Sequence, residues 1–372
     1  MTDALARHLD GSSRVPAIVA DVGWVNGLAA IRSLGRLGVP VIAIDHRCGA
    51  LGFRSRYALS LRVPDPVAEE AAFVDLLAGT VEAAGRPVAI FPTHDEYLNA
   101  IARAAERIPS LLAPFPDWAL LESIQSKRFQ LERARDLGLP TPRWADEPTN
   151  DLGFPVLVKP SDPTGFRRRF KRQAFRCESR AELDRVFADA EEFAPLVQEL
   201  IPGGDEELYT LGSYVTREGD ALGAFSGRKL RQTPPGVGTC RVGEAVWVDE
   251  VVEQGLAFIR GLGFHGLSQV EWKRDPRDGA YKLMEINPRL WQWHSLAAAC
   301  GVDVTAIAYR HLTGEAPAPA RSNGSSKRWA ITFLAGTKPA VVRPPYVDAV
   351  FALDDPGPAV VQMARLARSA LR

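Results

Sequence analysis

Short apolar runs alternate with helical periodicity along the first third of the chain. Pro16 to Val22 (PAIVADV) is apolar and closes on Asp and Gly, Leu28 to Leu37 repeats apolar residues at helical spacing before Gly38, and Val39 to Asp45 (VPVIAID) is apolar again. Strand, helix and strand in that order predict one βαβ unit of a parallel sheet. Val88 to Phe91 (VAIF) adds a further buried strand, followed by a helix over Tyr97 to Ala105. Pro109 to Asp117 holds three prolines and marks the first boundary.

Beyond it the pattern changes. Ser123 to Gly138 reads as one amphipathic helix, Phe154 to Pro160 (FPVLVKP) as a strand closed by Lys159, and Ser161 to Arg172 as a loop with five cations. Glu182 to Phe193 is a helix, and the strand Pro195 to Leu200 runs into the joint Ile201-Pro202-Gly203-Gly204. Three antiparallel strands are expected over Glu207 to Val215, Ala221 to Ser226 and Gly243 to Val248, with a basic knot, Gly227 to Gln232, between them. After a helix from Glu250 to Leu262, the strands Leu267 to Lys273 and Tyr281 to Asn287 flank the turn sequence Asp275 to Gly279, so they should pair as a hairpin. A Pro/Ala/Ser linker, Glu315 to Ser326, precedes a strand at Trp329 to Leu334 and a surface helix from Pro358 to Leu371.

Composition narrows the function classes. At 372 residues two or three domains are expected, and 45 Lys plus Arg against 45 Asp plus Glu advertise neither nucleic acid nor an anionic membrane. The four cysteines, Cys48, Cys177, Cys240 and Cys300, are far apart, which argues against a zinc site or a disulfide framework. The first residues, MTDALARHLDGSSR, lack a signal-peptide pattern, and no apolar run approaches membrane-spanning length, so a cytoplasmic location is expected.

Candidate chemistry gathers at two places. In the first βα turn, Gly23-Trp24-Val25-Asn26-Gly27 stands where a dinucleotide fold places GxGxxG, but without the middle and third glycines and with a bulky Trp. Ligands of open parallel sheets collect at the carboxyl ends of strands, which makes Trp24, Asn26, His94 and Asp95 candidates for contact with a small acceptor substrate. Thr93 and Asp95 suit helix caps equally well.

The second place is Tyr281 to His294 (YKLMEINPRLWQWH). Glu285 and Asn287 project from one face of a strand, and a register with Lys273 opposite Leu283 would set Glu271 against Glu285. Like charges so placed ask for a cation, and two carboxylates with one amide oxygen suit magnesium bridging phosphates; the alternative is two solvated glutamates. Arg289 follows at once. Trp291 and Trp293 could wall an acceptor pocket and His294 could accept a proton from an attacking amine, or all three pack the neighbouring helix.

The order Lys127, Lys159, the QELIPG joint with acidic residues behind it, Glu271 and MEINPR resembles the ATP-grasp superfamily. Within it the chain is most similar to the carboxylate-amine ligase branch related to D-aspartate ligase and the carbamoyl phosphate synthetase large chain. The resemblance runs from about Pro16 to Leu312. It implies an α/β and α+β protein: an N-terminal Rossmann-like pre-ATP-grasp domain (1–118), an ATP-grasp domain (119–314, with a smaller part 119–201 and a larger part 202–314) and a C-terminal segment (315–372). By the same resemblance, Lys127 and Lys159 would meet the phosphates of ATP, Gln198, Glu199, Leu200 and Ile201 would present backbone groups to the adenine, and Glu207, or else Glu206, would hold the ribose. Glu271, Glu285 and Asn287 would hold Mg2+, with Lys229 or Arg231 at the terminal phosphate and Arg289 on the substrate carboxylate. One departure is the sequence TGFRRRFKRQ, which fills the place of the family's glycine-rich loop.

The implied activity is ligation of a carboxylate to an amine through an acyl phosphate, releasing ADP and phosphate. The expected partners are small carboxylate and amine substrates of amino-acid type, with no nucleic acid and no membrane; a homodimer is left open. Rival readings are an ATP-grasp carboxylase or kinase-like enzyme, an NAD-dependent oxidoreductase and an inactive nucleotide-binding module.

Overall fold

The computed structural model describes residues 2–161, 163–236, 238–322, 324–332 and 346–370. The first part comprises α1 (Thr2–Leu9), β1 (Ala17–Ala20), α2 (Val25–Arg36), β2 (Val41–Asp45), β3 (Ala58–Arg62), α3 (Glu70–Ala83), β4 (Val88–Pro92), α4 (Asp95–Ala104) and β5 (Leu111–Leu112). Its five strands are parallel in the order β3-β2-β1-β4-β5. β1, β2 and β4 are buried throughout, so they read as unbroken apolar runs. Strand order reverses between β1 and β4, which opens a crevice at their carboxyl ends.

The second part holds α5 (Trp118–Gln125), α6 (Lys127–Asp136), β6 (Trp144–Ala145), β7 (Val156–Lys159), α7 (Pro163–Phe170), β8 (Phe175–Cys177), α8 (Arg180–Asp189) and β9 (Leu196–Glu199). A small antiparallel sheet, β6-β9-β7-β8, buries Val156, Val158 and Val197 with Leu183 and Val186 of α8. By strand alternation Leu157, Lys159 and Gln198 occupy its other face. Two expectations are corrected here. The single helix over 123–138 is two helices, because Ser126 leaves the helical conformation (ψ 120°) and its hydroxyl caps α6 by accepting from the Phe129 N–H. The five-cation loop instead contains helix α7: Phe166 and Phe170, one turn apart, dock on Phe175 and Phe193, leaving Arg168 and Arg169 exposed on the outer side.

The third part comprises β10 (Leu208–Val215), β11 (Ala221–Thr233), β12 (Thr239–Ala245), α9 (Asp249–Gly261), β13 (Gly266–Arg274), β14 (Tyr281–Asn287), α10 (His294–Ala299), α11 (Val304–Leu312), β15 (Ala320–Arg321), β16 (Arg328–Ala330), β17 (Tyr346–Asp348) and α12 (Gly357–Ala370). Seven strands run β14-β13-β10-β11-β12-β16-β17, and β15 joins β11. The basic stretch Gly227 to Gln232 lies inside β11 and does not separate two strands: the pairing with β12 carries on through register shifts around Arg231. The expected linker 315–326 supplies β15. Of the strand expected at Trp329 to Leu334, residues 333 and 334 lie outside the described residues.

One apolar cluster joins the first sheet to the large one, with Val19 and Phe91 on one side and Phe225, Trp291 and Trp293 on the other. Gly212 is required there, since a Cβ at that position would come 2.1 Å from the Trp291 ring. The C-terminal segment returns to the first part, where buried Arg32 donates from Nε to Asp355 (2.9 Å) and from Nη2 to the Val350 carbonyl (2.7 Å). Among the described residues no helix is long and apolar enough to cross a membrane.

Candidate functional site

The hairpin β13–β14 sets Glu271 directly opposite Glu285 and Gln269 opposite Asn287. The expected partner of Lys273 was Leu283, but a bulge after Glu271 pairs Lys273 with Lys282 and Trp272 with Leu283. Glu271, Glu285 and Asn287 nevertheless share one face, and each carboxylate meets its own lysine. Lys229 of β11 is 2.8 Å from Glu271, and Lys127, the first residue of α6, pairs with Glu285. The amides complete the row: Gln269 donates to Glu271 (2.9 Å) and Asn287 to Glu285 (3.2 Å).

Proline at 288 ends β14, and Arg289 turns toward the first sheet. Its guanidinium donates to Asp95 from Nε (2.6 Å) and Nη2 (3.3 Å), and Nη2 also reaches the Asn287 amide oxygen at 3.3 Å. Asp95 begins α4 at the carboxyl end of β4. Arg167 of α7 stands 3.9 Å from the same carboxylate, so the small sheet, the large sheet and the first sheet meet at this point.

The electrostatics follow from these pairings. Burial pushes the Glu285 carboxyl up, but the Lys127 charge and hydrogen bond overcome it and bring the group down to about 2. Burial lowers Lys229, and the attraction of Glu271 outweighs it, so that lysine stays charged. Lys159 differs. It ends β7, its ammonium has no hydrogen bond or ion pair among the described residues, and burial, reinforced by the like charge of Lys127, brings it down to about 8.

Two further donors lack partners. Gln198 Nε2 on β9 and Gln232 Nε2 on β11 are buried and unbonded among the described residues, both residues being 2% exposed. Unpaired buried donors call for an acceptor-rich ligand. Two carboxylates and an amide oxygen are too few for a closed metal cage, and the described residues contain no group of three or more His, Cys, Asp or Glu side chains that could hold an ion. The donor set suits a hard cation that takes its remaining oxygens from phosphate and water.

The structure thus gathers Lys127, Lys159, Lys229, Glu271, Glu285, Asn287, Arg289 and Asp95. Other expected residues have these contacts. The Glu199 carboxylate accepts from the Arg143 N–H (2.8 Å) and Arg277 (3.2 Å), and the Ile201 carbonyl, proposed for the adenine, accepts from Lys273 Nζ at 2.9 Å. Leu200 is half-buried beside them, and Glu207 stands 3.8 Å from Arg274. Arg231 has no ion pair or hydrogen bond joining it to the acidic pair among the described residues. Of the two readings of Trp293, packing is the one observed: at 1% exposure it packs on Phe225 in the core. His294 Nε2 lies 3.0 Å from the Asn26 carbonyl, and burial lowers its pKa. Asn26 in turn donates to the Thr93 carbonyl, Trp24 is half exposed, and His94 stands at the N-cap position of α4 without a side-chain cap bond, its Nδ1 unpaired among the described residues.

Sequence reasoning missed Asp21, Asp45 and Arg47. The two carboxylates follow the apolar runs of β1 and β2, the same signal that singled out Asp95 after β4. Arg47 Nη2 would lie 2.3 Å from a Cβ at Gly23, so a guanidinium covers the turn where a dinucleotide fold cradles pyrophosphate.

Comparison with known proteins bears on the fold. The ATP-binding domain model of the carbamoyl-phosphate synthase L chain matches residues 246–316, which include the whole hairpin. D-aspartate ligase of Enterococcus faecium (strain Aus0004) is 26% identical over 216 residues, 52% of this chain and 51% of that protein. The matched stretch therefore spans about half the length of that relative. Biotin carboxylase from Campylobacter jejuni superimposes with a TM-score of 0.66 at 17% identity, covering 82% of this chain and 72% of its own. The chain has the ATP-grasp fold. L-amino acid ligase from Bacillus licheniformis shares this ATP-grasp architecture, with a TM-score of 0.62 at 17% identity over 81% of this chain and 75% of that one. The parallel first sheet, in the order β3-β2-β1-β4-β5, is consistent with a Rossmann-like unit.

Proposed function

We propose that the protein is an ATP- and Mg2+-dependent ligase that couples a carboxylate to an amine. The observation that carries this reading is the row Lys229–Glu271–Gln269–Asn287–Glu285–Lys127, with Arg289 at its end and unpaired donors around it. A carboxylate resists attack by an amine until one oxygen becomes a good leaving group. In the proposed sequence that oxygen attacks the γ-phosphorus of ATP and ADP departs. The amine nitrogen then attacks the acyl carbon, phosphate departs with the oxygen, and the nitrogen loses a proton to give the amide.

Phosphoryl transfer of this kind needs positioning and charge neutralisation, with no protein nucleophile. Lys127, Lys159 and Lys229 would supply positive charge to the phosphates, and Gln198 and Gln232 the hydrogen bonds their amides now lack. Glu271, Glu285 and the Asn287 amide oxygen would hold Mg2+, which when bound neutralises phosphate charge. Arg289 would hold the substrate carboxylate by charge-assisted bonds in place of Asp95.

The test is ADP release over paired arrays of amino acids, small acids and amines, with product masses and an 18O-labelled acid. Amide formation with one 18O delivered to phosphate is the expected result. ADP release driven by bicarbonate alone, or by a hydroxyl acceptor without amide, would replace this reading with a carboxylase or a kinase-like one.

A further inference from the structure

The oxygens assigned to Mg2+ already have partners within the chain. Glu271 accepts from Lys229 at both oxygens (2.8 Å at Oε1, 3.0 Å at Oε2) and from Gln269 at Oε1 (2.9 Å). Glu285 accepts from Lys127 at Oε2 and from Asn287 at Oε1 (3.2 Å). The Asn287 amide oxygen accepts from Arg289 (3.3 Å). A cationic side chain of the protein itself thus bonds each of the three ligand residues.

Charge and position decide what can replace those cations. Lys127, Lys229, Arg289 and Arg167 face Glu285, Glu271 and Asp95, four cations to three carboxylates. A free divalent cation would add charge of the sign already in excess, and it would have to displace an ammonium group from each glutamate. A nucleotide alone would draw the lysines to its phosphates. Glu271 would then stand directly opposite Glu285 with no cation between them, and like charges so placed destabilise a strand pair. Gln232 marks a second station for Lys229: its Oε1 is 3.5 Å from Lys229 Nζ, and its buried Nε2 has no partner among the described residues. An acceptor-rich group there would meet both donors.

We propose that Lys127 and Lys229 lock the metal site until a nucleotide unlocks it, so that the protein takes Mg2+ and nucleotide only as a pair. The proposal rests on the ATP and Mg2+ assignment of the ligase reading above and adds the order of binding and the residues that enforce it. Phosphates take over the two ammonium groups, which frees both carboxylates. Release of the Asn287 amide oxygen frees the Arg289 Nη2 donor as well. Each lysine therefore has two partners in turn, a carboxylate before loading and a phosphate after it.

The experiment titrates Mn2+ into full-length, nucleotide-free protein and reads bound metal by electron paramagnetic resonance. Lys127→Met and Lys229→Met should each bind Mn2+ at least about tenfold more tightly than wild type, the scale on which partners of ligand residues alter metal affinity. Lys127→Met strands a carboxylate whose side chain is 33% exposed, so this variant should fold even where Lys229→Met does not. By calorimetry, the Mg2+ complex of a non-hydrolysable ATP analogue should bind wild type about 10- to 100-fold more tightly than the metal-free analogue. Nucleotide-free wild type that binds Mn2+ as tightly as folded Lys127→Met overturns the lock. Equal affinity for the analogue with and without Mg2+ overturns it too. Neither result touches acid-dependent ADP release, so the ligase reading survives both; wild type that binds no nucleotide sinks that reading together with the lock.

Discussion

Removing Arg289 should separate stability from catalysis. Arg289→Ala deletes bonds of 2.6 and 3.3 Å to Asp95, whose side chain is 18% exposed, and strands that carboxylate with Arg167 at 3.9 Å as its remaining guanidinium. Breaking a buried pair from one side costs roughly 3–5 kcal/mol, and the residual Arg167 charge puts this site at the lower end, about 3 kcal/mol. Catalysis should fall independently, by roughly 10²–10³ in kcat, the scale for losing one preorganised charge stabiliser. Adding Asp95→Asn removes the stranded charge, so most of the stability should return in urea denaturation while ADP release at saturating substrate stays low. Acid dependence gives a second check. Burial raises the Asp95 carboxyl, and Arg289 overcomes this to hold it far below its ordinary value. The pair's contribution is therefore present above the ordinary carboxylate range and is lost as pH falls toward the depressed value, a loss that Arg289→Ala should flatten. If kcat recovers in the double variant, Arg289 serves only to neutralise Asp95, and its role on the substrate carboxylate is refuted.

Glu285→Gln should leave the fold intact but raise the Mg2+ concentration needed for half-maximal ADP release by about tenfold or more; an unchanged Mg2+ titration counts against the metal assignment. Lys159, brought to about 8 by burial and Lys127, should gain a proton when phosphates arrive. Calorimetry of the Mg2+–ATP analogue in buffers of different ionisation enthalpy should show proton uptake at pH 9 and little at pH 6.5; the same uptake in Lys159→Met would assign it elsewhere. Asp355→Ala should destabilise the protein by roughly 3–5 kcal/mol, because Arg32 is 5% exposed and loses its carboxylate. A urea midpoint equal to wild type would show that the C-terminal strap contributes no stability.

What the sequence makes legible is local. Buried parallel strands such as Ala17–Ala20 and Val88–Pro92 announce themselves as apolar runs, whereas β3, ALSLR, is half-buried and exposes Ser60 and Arg62, so no pattern separates it from a loop. Periodicity also reads straight through Ser126, since a capping hydroxyl ends one helix and starts another without disturbing the apolar repeat. Charge misled at α7. Five cations suggest a solvated loop until Phe166 and Phe170 are counted as one face, and that count requires knowing that Phe175 on the small sheet and Phe193 in the turn after α8 receive them.

At the site the same limit acts on side chains. Glu271 opposite Glu285 follows from a strong turn and a two-residue period, and the bulge that moves Lys273 onto Lys282 lies on the turn side of that pair, so the carboxylates stay in register. What answers those carboxylates comes from far along the chain: Lys127 lies 158 residues from Glu285, Lys229 lies 42 from Glu271, and Arg289 lies 194 from Asp95. No local pattern encodes such pairings. A chain with 45 residues of each sign looks electrically featureless, yet folding gives Asp95 two guanidiniums and leaves Asp21 and Asp45 to share one. The allocation of guanidiniums is thus a property of long-range pairing that neither total charge nor any single motif carries.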